Sequence, residues 1–347
     1  KIMLKDKKVG IVGCGKRFNT IYYEILQKLN CNLFIWNRTK EKLDNFKGLC
    51  NVNVVSNLEE FQKIDPEIII CTIPGHARKK IIVELLEKTN SKILIETPVS
   101  DPELVNLSIQ NNNKLGVLEQ WPFLPLEQFK ELVYNSKTIE RPYWVYNDGR
   151  TFDYHAMAQL RSYINKASPT IVKGSIINVD QEGHYDKSKK LNTTSDFWTH
   201  GHVQMTNGSL LSHSFCYNCK VSELKPLQMI KCYSSNGSII TGRINNLNDD
   251  YELSEVRYLN SEKIPVIEKL IINRDHDVTI EIKGCNQVWY NKYSKLGLND
   301  QQTAIATVIE NGLNGKLYSP KDSYVDSIMI DAMKQSGLSN QTLTFGS

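Results

Sequence analysis

The chain has 347 residues, 42 Lys plus Arg against 38 Asp plus Glu, and 40% hydrophobic residues. At about 100 to 200 residues per domain, that length implies two domains and excludes a single small disulfide-stapled module. The formal charge of +4 is small, and basic residues are interspersed with acidic ones, so no stripe of charge suits a row of phosphates and nucleic acid is not an expected partner.

From Lys8 to Pro98 short apolar runs alternate with longer amphipathic stretches. Residues 8–12, 32–36, 52–55, 68–72 and 92–95 read as five strands, too continuously apolar to be half exposed. Between them, 18–29 and 78–88 carry apolar residues at helical spacing, among them Ile21, Ile25, Leu29, Ile82 and Leu85. Strands alternating with helices predict right-handed crossovers and a doubly wound parallel sheet. After about Pro125 the pattern changes, because strands follow one another through turns such as Thr206-Asn207-Gly208-Ser209 and Ser235-Asn236-Gly237-Ser238. Asn-Gly between apolar runs is a hairpin signal, so 170–178, 202–205, 210–217, 227–234 and 238–243 predict a large open, mostly antiparallel sheet. Residues 303–313 and 322–336 return to helical periodicity. The expected division is 1–124 and 125–347, with the last helix packing back on the first domain.

No apolar run approaches the ~18 to 20 residues that cross a bilayer, and no hydrophobic signal region follows the charged start, so no membrane and a cytoplasmic location are expected. The eight Cys (14, 31, 50, 71, 216, 219, 232, 285) are scattered, several inside apolar runs, which fits a reducing compartment.

The first strand runs into Gly13-Cys14-Gly15-Lys16-Arg17-Phe18 and then a helix, the context of a dinucleotide fingerprint. Gly13 would make the tight turn, and Gly15 would let backbone amides approach a pyrophosphate. Phe18 stands where a third small residue is usual. The plain alternative is an ordinary strand-to-helix turn. The second strand ends in Asn37-Arg38-Thr39, where an NAD site usually puts an acid and an Arg accommodates a 2′-phosphate, so NADP(H) is expected over NAD(H). Otherwise Arg38 belongs to a solvated loop.

These glycines, with Cys71-Thr72-Ile73-Pro74 closing the fourth strand and Leu94-Ile95-Glu96-Thr97-Pro98 closing the fifth, give a resemblance. The chain resembles the Gfo/Idh/MocA oxidoreductases, the glucose-fructose oxidoreductase and inositol dehydrogenase family, over most of its length. The resemblance implies a Rossmann domain followed by an α+β substrate domain. It also implies cofactor contacts from Gly13, Cys14, Gly15, Lys16, Arg17, Phe18, Asn37, Arg38, Thr39, Thr72, Ile73, Pro74, Glu96 and Gln120. Residues 119–123 stand where the family re-enters between domains, His155 opens a helix, and 322–336 looks like the family's closing helix. Two departures bear on mechanism. The family's Glu-Lys-Pro is Glu96-Thr97-Pro98, so Thr97 offers a neutral hydroxyl where a lysine typically holds the reacting oxygen. The family's Asp four residues before the catalytic His is Thr151, and the nearest acid is Asp153.

Asp153-Tyr154-His155 therefore remains the candidate acid-base cluster, followed by Gln159 and Arg161-Ser162-Tyr163. Hydride transfer to C=O or C=N needs a proton at the heteroatom, which His155 or Tyr154 could deliver. The structural alternative is a helix start capped by Asp153, with His155 packed under the sheet. His200, His202 and His213 lack a completing acid or Cys, and Cys216-Tyr217-Asn218-Cys219 puts its sulfurs on opposite faces of a strand, so no metal is expected. Residues 184–190 form a charged loop that either meets an anionic substrate or is solvated. The expected activity is an NADP(H)-dependent oxidoreductase acting on a keto or hydroxyl group of a sugar, cyclitol or sugar nucleotide. The alternatives are reduction of an imine or conjugated system, and a non-catalytic NADP-binding regulator. A small-molecule substrate and a homodimer or homotetramer through the C-terminal sheet complete the expectation.

Overall fold

The computed structural model describes residues 2–185, 191–216, 227–245, 250–273, 279–282 and 287–346. Residues 186–190 of the charged loop, with Tyr217, Asn218, Cys219 and Cys285, lie outside them. The chain forms two compact units, Lys1–Phe123 with Lys292–Tyr324, and Leu124–Asn291 with Val325–Ser347.

The first unit is built on a parallel sheet of β1 (Lys8–Val12), β2 (Asn32–Trp36), β3 (Val52–Val54), β4 (Ile68–Cys71), β5 (Lys92–Ile95) and β6 (Leu115–Val117). The spatial order is β3-β2-β1-β4-β5-β6. Val9 and Ile11 face Leu33 and Ile35 on one side and Ile68 and Ile70 on the other. All four residues of β4 are buried, as a strand covered on both faces requires. The sixth strand was not read from the sequence, because Leu115-Gly116-Val117 is too short to show a period.

The expected helix 18–29 opens instead with a π-helical turn, Phe18–Tyr22, and continues as α1 (Tyr23–Lys28). The helices α2 (Leu58–Ile64) and α4 (Pro102–Gln110) flank α3 (Gly75–Lys88) in the chain. The side chains of Asn57 and Asp101 accept from backbone amides of the first turns of α2 and α4, satisfying donors that the helix leaves unpaired.

The division differs from a simple cut after residue 124. The helix Asp300–Leu313, started by an Asn299/Gln302 capping box, belongs to the first unit. Its apolar residues Ile305, Ala306, Val308 and Ile309 lie in the same core as Val9, Ile11, Leu33 and Ile70. Gly116 leaves room for the Leu317 side chain, which a Cβ there would meet at 2.6 Å.

The second unit holds α5 (Gln128–Asn135), α6 (Asp153–Tyr163), most of the closing helix Pro320–Ser339 and, among the described residues, eleven strands. Eight of these are β7 (Trp144–Asp148), β8 (Pro169–Tyr185), β9 (Leu191–Met205), β10 (Leu210–Phe215), β11 (Leu227–Ser234), β12 (Gly237–Asn245), β13 (Asp250–Leu259) and β14 (Pro265–Asn273). They form one sheet, closed at the edge beside β8 by a short strand, Leu343–Thr344. The order is β14-β13-β12-β11-β7-β10-β9-β8 and then that short strand, antiparallel except for β7 beside β10. Both Asn-Gly turns join the expected neighbours, β9 to β10 and β11 to β12. The strands β8 and β9 run far beyond 170–178 and 202–205; their added residues are mostly polar, so no apolar alternation marks them in the sequence.

The closing helix places Met329, Ile330 and Met333 in the core of the second unit, with Val145, Leu160, Val172 and Val203, while its residues 320–324 belong to the first unit, where the Ser323 hydroxyl accepts from the Val99 amide. Among the described residues no helix is long and apolar enough to cross a membrane.

Candidate functional site

At the carboxyl edge of the parallel sheet, Gly13 adopts φ +96°, a left-handed conformation that costs a residue with a Cβ. A Cβ there would also lie 3.2 Å from Thr72 Oγ1. Gly15 is different, since nothing stands within 4 Å of where its Cβ would be. One glycine shapes the turn, and the other leaves open space above it.

The Thr72 hydroxyl donates to the Gly13 carbonyl, and the Thr72 amide donates to Val12 O at 3.0 Å, so the ends of β1 and β4 are tied. Ile73 and Pro74 follow, with Pro74 as the N-cap of α3. Lys16 and Arg17 are exposed, while Phe18 is fully buried with its ring against Tyr23 and Phe46. A small residue would have allowed close helix–strand packing at this position, and the chain winds its π-helical turn here instead.

The end of β2 reaches the same turn. Asn37 Oδ1 accepts from the Cys14 amide at 3.1 Å, and Asn37 Nδ2 donates to Thr39 O at 2.7 Å. The buried Cys14 thiol donates to Lys42 O at 3.5 Å, and burial pushes its pKa up. Arg38 is exposed and has no ion pair among the described residues. Lys40 and Lys42 stand just beyond it, also exposed, and were not singled out from the sequence because lysines in a polar loop carry no pattern.

The segment Glu96-Thr97-Pro98 is held by a residue that the sequence reading missed. Arg78, buried in the first turn of α3, donates to Glu96 O at 2.7 Å and to Pro98 O at 2.8 Å, gripping the backbone on both sides of Thr97. Desolvation lowers the Arg78 pKa. The Glu96 carboxylate accepts from Arg17 Nε at 3.1 Å. Burial, together with the nearby Glu96 carboxylate, raises the pKa of Tyr22 well above the usual value. Gln120 and Glu119, past β6, are both buried.

In the second unit, Asp153, Tyr154 and His155 open α6. Asp153 does not cap the helix: it has φ +46°, and its carboxylate accepts from Lys334 Nζ of the closing helix at 2.7 Å. His155 is buried, 4.3 Å centroid to centroid from the Tyr154 ring and edge-on to Phe152 at 5.1 Å. The loop before it is clamped by the buried Asn147. Its Oδ1 accepts from the amides of Arg150 and Thr151 at 3.1 Å each, and its Nδ2 donates to Thr151 O at 2.7 Å.

Thr151, at the place of the family Asp, donates its hydroxyl to Gln159. Gln159 Nε2 donates to Glu127 at 2.7 Å, and Lys130 bonds Glu127 at 2.8 Å and the Ser162 hydroxyl. Arg161 forms a buried ion pair with Asp326 at 2.6 Å. These members of 151–163 are therefore tied into the interior of the unit.

The three histidines weighed as metal ligands do not share a face. His200 and His202 lie opposite Ser214 and Ser212, whereas His213 lies opposite Gly201 and so points to the other side. Among the described residues no group of three or more His, Cys, Asp or Glu could hold a metal ion.

No protein-family model and no curated protein matches the sequence, whereas solved structures match nearly all of it. Gal80p, a transcriptional regulator from Kluyveromyces lactis, superposes with a TM-score of 0.67 at 14% identity, over 98% of this chain and 94% of that one. Levoglucosan dehydrogenase in complex with NADH and levoglucosan gives 0.65 at 13% identity, over 99% and 100%. An oxidoreductase from Thermotoga maritima gives 0.59 at 17% identity, over 98% of both chains. A doubly wound parallel unit followed by a unit on a large, mostly antiparallel sheet, matched along its whole length by these structures, gives the chain the fold of the Gfo/Idh/MocA-type oxidoreductases.

Proposed function

We propose that the chain is an NADP(H)-dependent oxidoreductase acting on the keto or hydroxyl group of a sugar, cyclitol or sugar nucleotide. The observation that carries the cofactor reading is the end of β2. Asn37, standing where an acid would hold the ribose of NAD, has its side chain engaged with Cys14 and Thr39. Arg38 beside it is exposed and has no ion pair among the described residues. A guanidinium so placed suits a 2′-phosphate through charge-assisted bonds, and Lys40 and Lys42 add positive charge. The open space at Gly15 suits a pyrophosphate approaching backbone amides. The levoglucosan dehydrogenase of similar fold is described with NADH and a sugar, which supports the substrate class.

The bound cofactor would supply a hydride to the carbonyl carbon, or accept one from the alcohol. The protein must then move one proton at the oxygen. His155 and Tyr154 are the donors on α6, with Asp153 held by Lys334 beside them. In the first unit, Thr97, whose neighbours are gripped by Arg78, carries a neutral hydroxyl where a lysine is usual.

Calorimetric titration tests the reading at its root. The wild type should prefer NADPH over NADH by tenfold or more, since a charge-assisted bond is worth ~1.5 to 3 kcal/mol, and Arg38→Asp should reverse the preference. Equal affinities in the wild type would sink it.

One observation favours a second reading, a regulator that binds NADP(H) without turnover: Thr97 stands where a catalytic lysine is usual, and the fold also resembles Gal80p, a transcriptional regulator. Oxidation of NADPH across a panel of keto-sugars and cyclic imines separates the two. We also propose a homodimer or homotetramer through the open face of the second unit's sheet.

A further inference from the structure

Arg17 leaves the turn after β1 and Glu96 directly follows β5, with β4 lying between those strands in the sheet. At ~4.8 Å per strand spacing, their ion pair bridges about 10 Å across the carboxyl end of β4. The order β3-β2-β1-β4-β5-β6 reverses between β1 and β4, and dinucleotides cross such sheets at that switch point. The ion pair therefore stands across the expected path.

The two partners are held unequally. Glu96 is fixed through its carbonyl by Arg78 and its side chain is 14% exposed, whereas the Arg17 side chain is 44% exposed. A pyrophosphate reaching the Gly13–Gly15 turn would be a second anion beside the same guanidinium, competing for it with the Glu96 carboxylate. Two anions cannot both keep one exposed arginine at full strength.

We propose that Arg17 exchanges Glu96 for the pyrophosphate when the dinucleotide binds, and that Glu96 holds the affinity down. The proposal rests on the dinucleotide reading above. It makes Glu96 an opponent of binding, whereas a mere contact residue would favour it.

The test is calorimetric titration of NADPH into wild type, Glu96→Gln, Arg17→Gln and the double variant, with thermal unfolding of each. Glu96→Gln keeps size and hydrogen-bonding capacity. It should bind roughly three- to tenfold more tightly, the range for one partly exposed charge-assisted contact, and Glu96→Ala should move in the same direction. Arg17→Gln should bind more weakly by a similar factor, and in its background Glu96→Gln should change the affinity less than about twofold. An affinity for NADPH that is unchanged or weaker in Glu96→Gln and Glu96→Ala, with wild-type unfolding midpoints, would overturn the exchange alone. A wild type that binds neither NADPH nor NADH would overturn the cofactor reading and the exchange with it.

Discussion

A single buried imidazole shows how much a hydrogen bond can settle at the scale of a residue. Asn147 Oδ1 already accepts from two backbone amides, so its Nδ2 is the donor in the 2.9 Å contact with His213 Nδ1. His213 is thereby neutral, with its proton on Nε2, and burial lowers its pKa from 6.5 to about 4. The unfolded chain takes up this proton near 6.5 and the folded chain near 4, so the unfolded state binds more protons in that window. The contribution of about 3 kcal/mol is complete above roughly pH 6.5 and is lost as pH falls towards 4. Urea unfolding of wild type and His213→Gln should show a difference that shrinks by that amount between about pH 7 and pH 4, and a flat difference would remove His213 as the titrating group. At the neighbouring cluster, His155→Ala should lower kcat by ~10²- to 10⁴-fold with NADPH affinity unchanged, the usual contribution of general acid-base catalysis. Normal turnover in both His155→Ala and Tyr154→Phe would place proton transfer elsewhere.

Among elements, the closing helix depends on glycines that belong to other segments. A Cβ on Gly174 of β8 would fall on the Met333 carbonyl, and one on Gly201 of β9 would meet Met333 Cγ at 2.8 Å. Gly337 of the helix is as close to β8, where its Cβ would stand 2.9 Å from the Ile176 amide. At Gly174 and Gly337 helix and sheet touch backbone to backbone, whereas at Gly201 the sheet meets the Met333 side chain. Gly174→Ala should therefore destabilise by ~1 to 3 kcal/mol, the cost of overpacking a tight core, and chemical denaturation measures it. An unchanged midpoint would mean that the helix can shift without loss. The periodicity of Val325, Ile328, Met329, Ala332 and Met333 made the helix legible, whereas its seat on two isolated strand glycines was not.

For the molecule as a whole, the proposed association of copies would use the face of the second sheet away from its helices. Register puts Ile177, Trp198, Ser214 and Tyr146 on that face, and likewise Ile267, Arg257, Tyr233 and Trp144. Ile177 is 58% exposed and Ile267 54%, while the stacked Trp144 and Tyr233 rings are half-buried. Apolar side chains standing in line on an otherwise polar face mark an association surface. Ile177→Asp should thus shift the sedimentation coefficient towards the monomer and leave the far-UV spectrum unchanged. A wild type that sediments as a monomer at every concentration would refute the proposed assembly.

The amino-acid pattern alone determined the alternating strands of the first unit, the glycine turn and the two Asn-Gly hairpins, because period, run length and turn chemistry are local properties. It also carried the resemblance whose fold the structure bears out. Only tertiary structure decided the rest. The helix Asp300–Leu313 joins the first core although 168 residues of the second unit, Leu124–Asn291, precede its return, since burial against Val9 and Ile70 is a long-range event without a local signal. Arg78 reads as one more basic residue on a helix until the fold brings two carbonyls to its guanidinium. Arg17 and Glu96, 79 positions apart, become partners only because the sheet order sets β1 and β5 on either side of β4. Sequence spacing determines which side chains share an element, but the order of strands decides which charges meet across it.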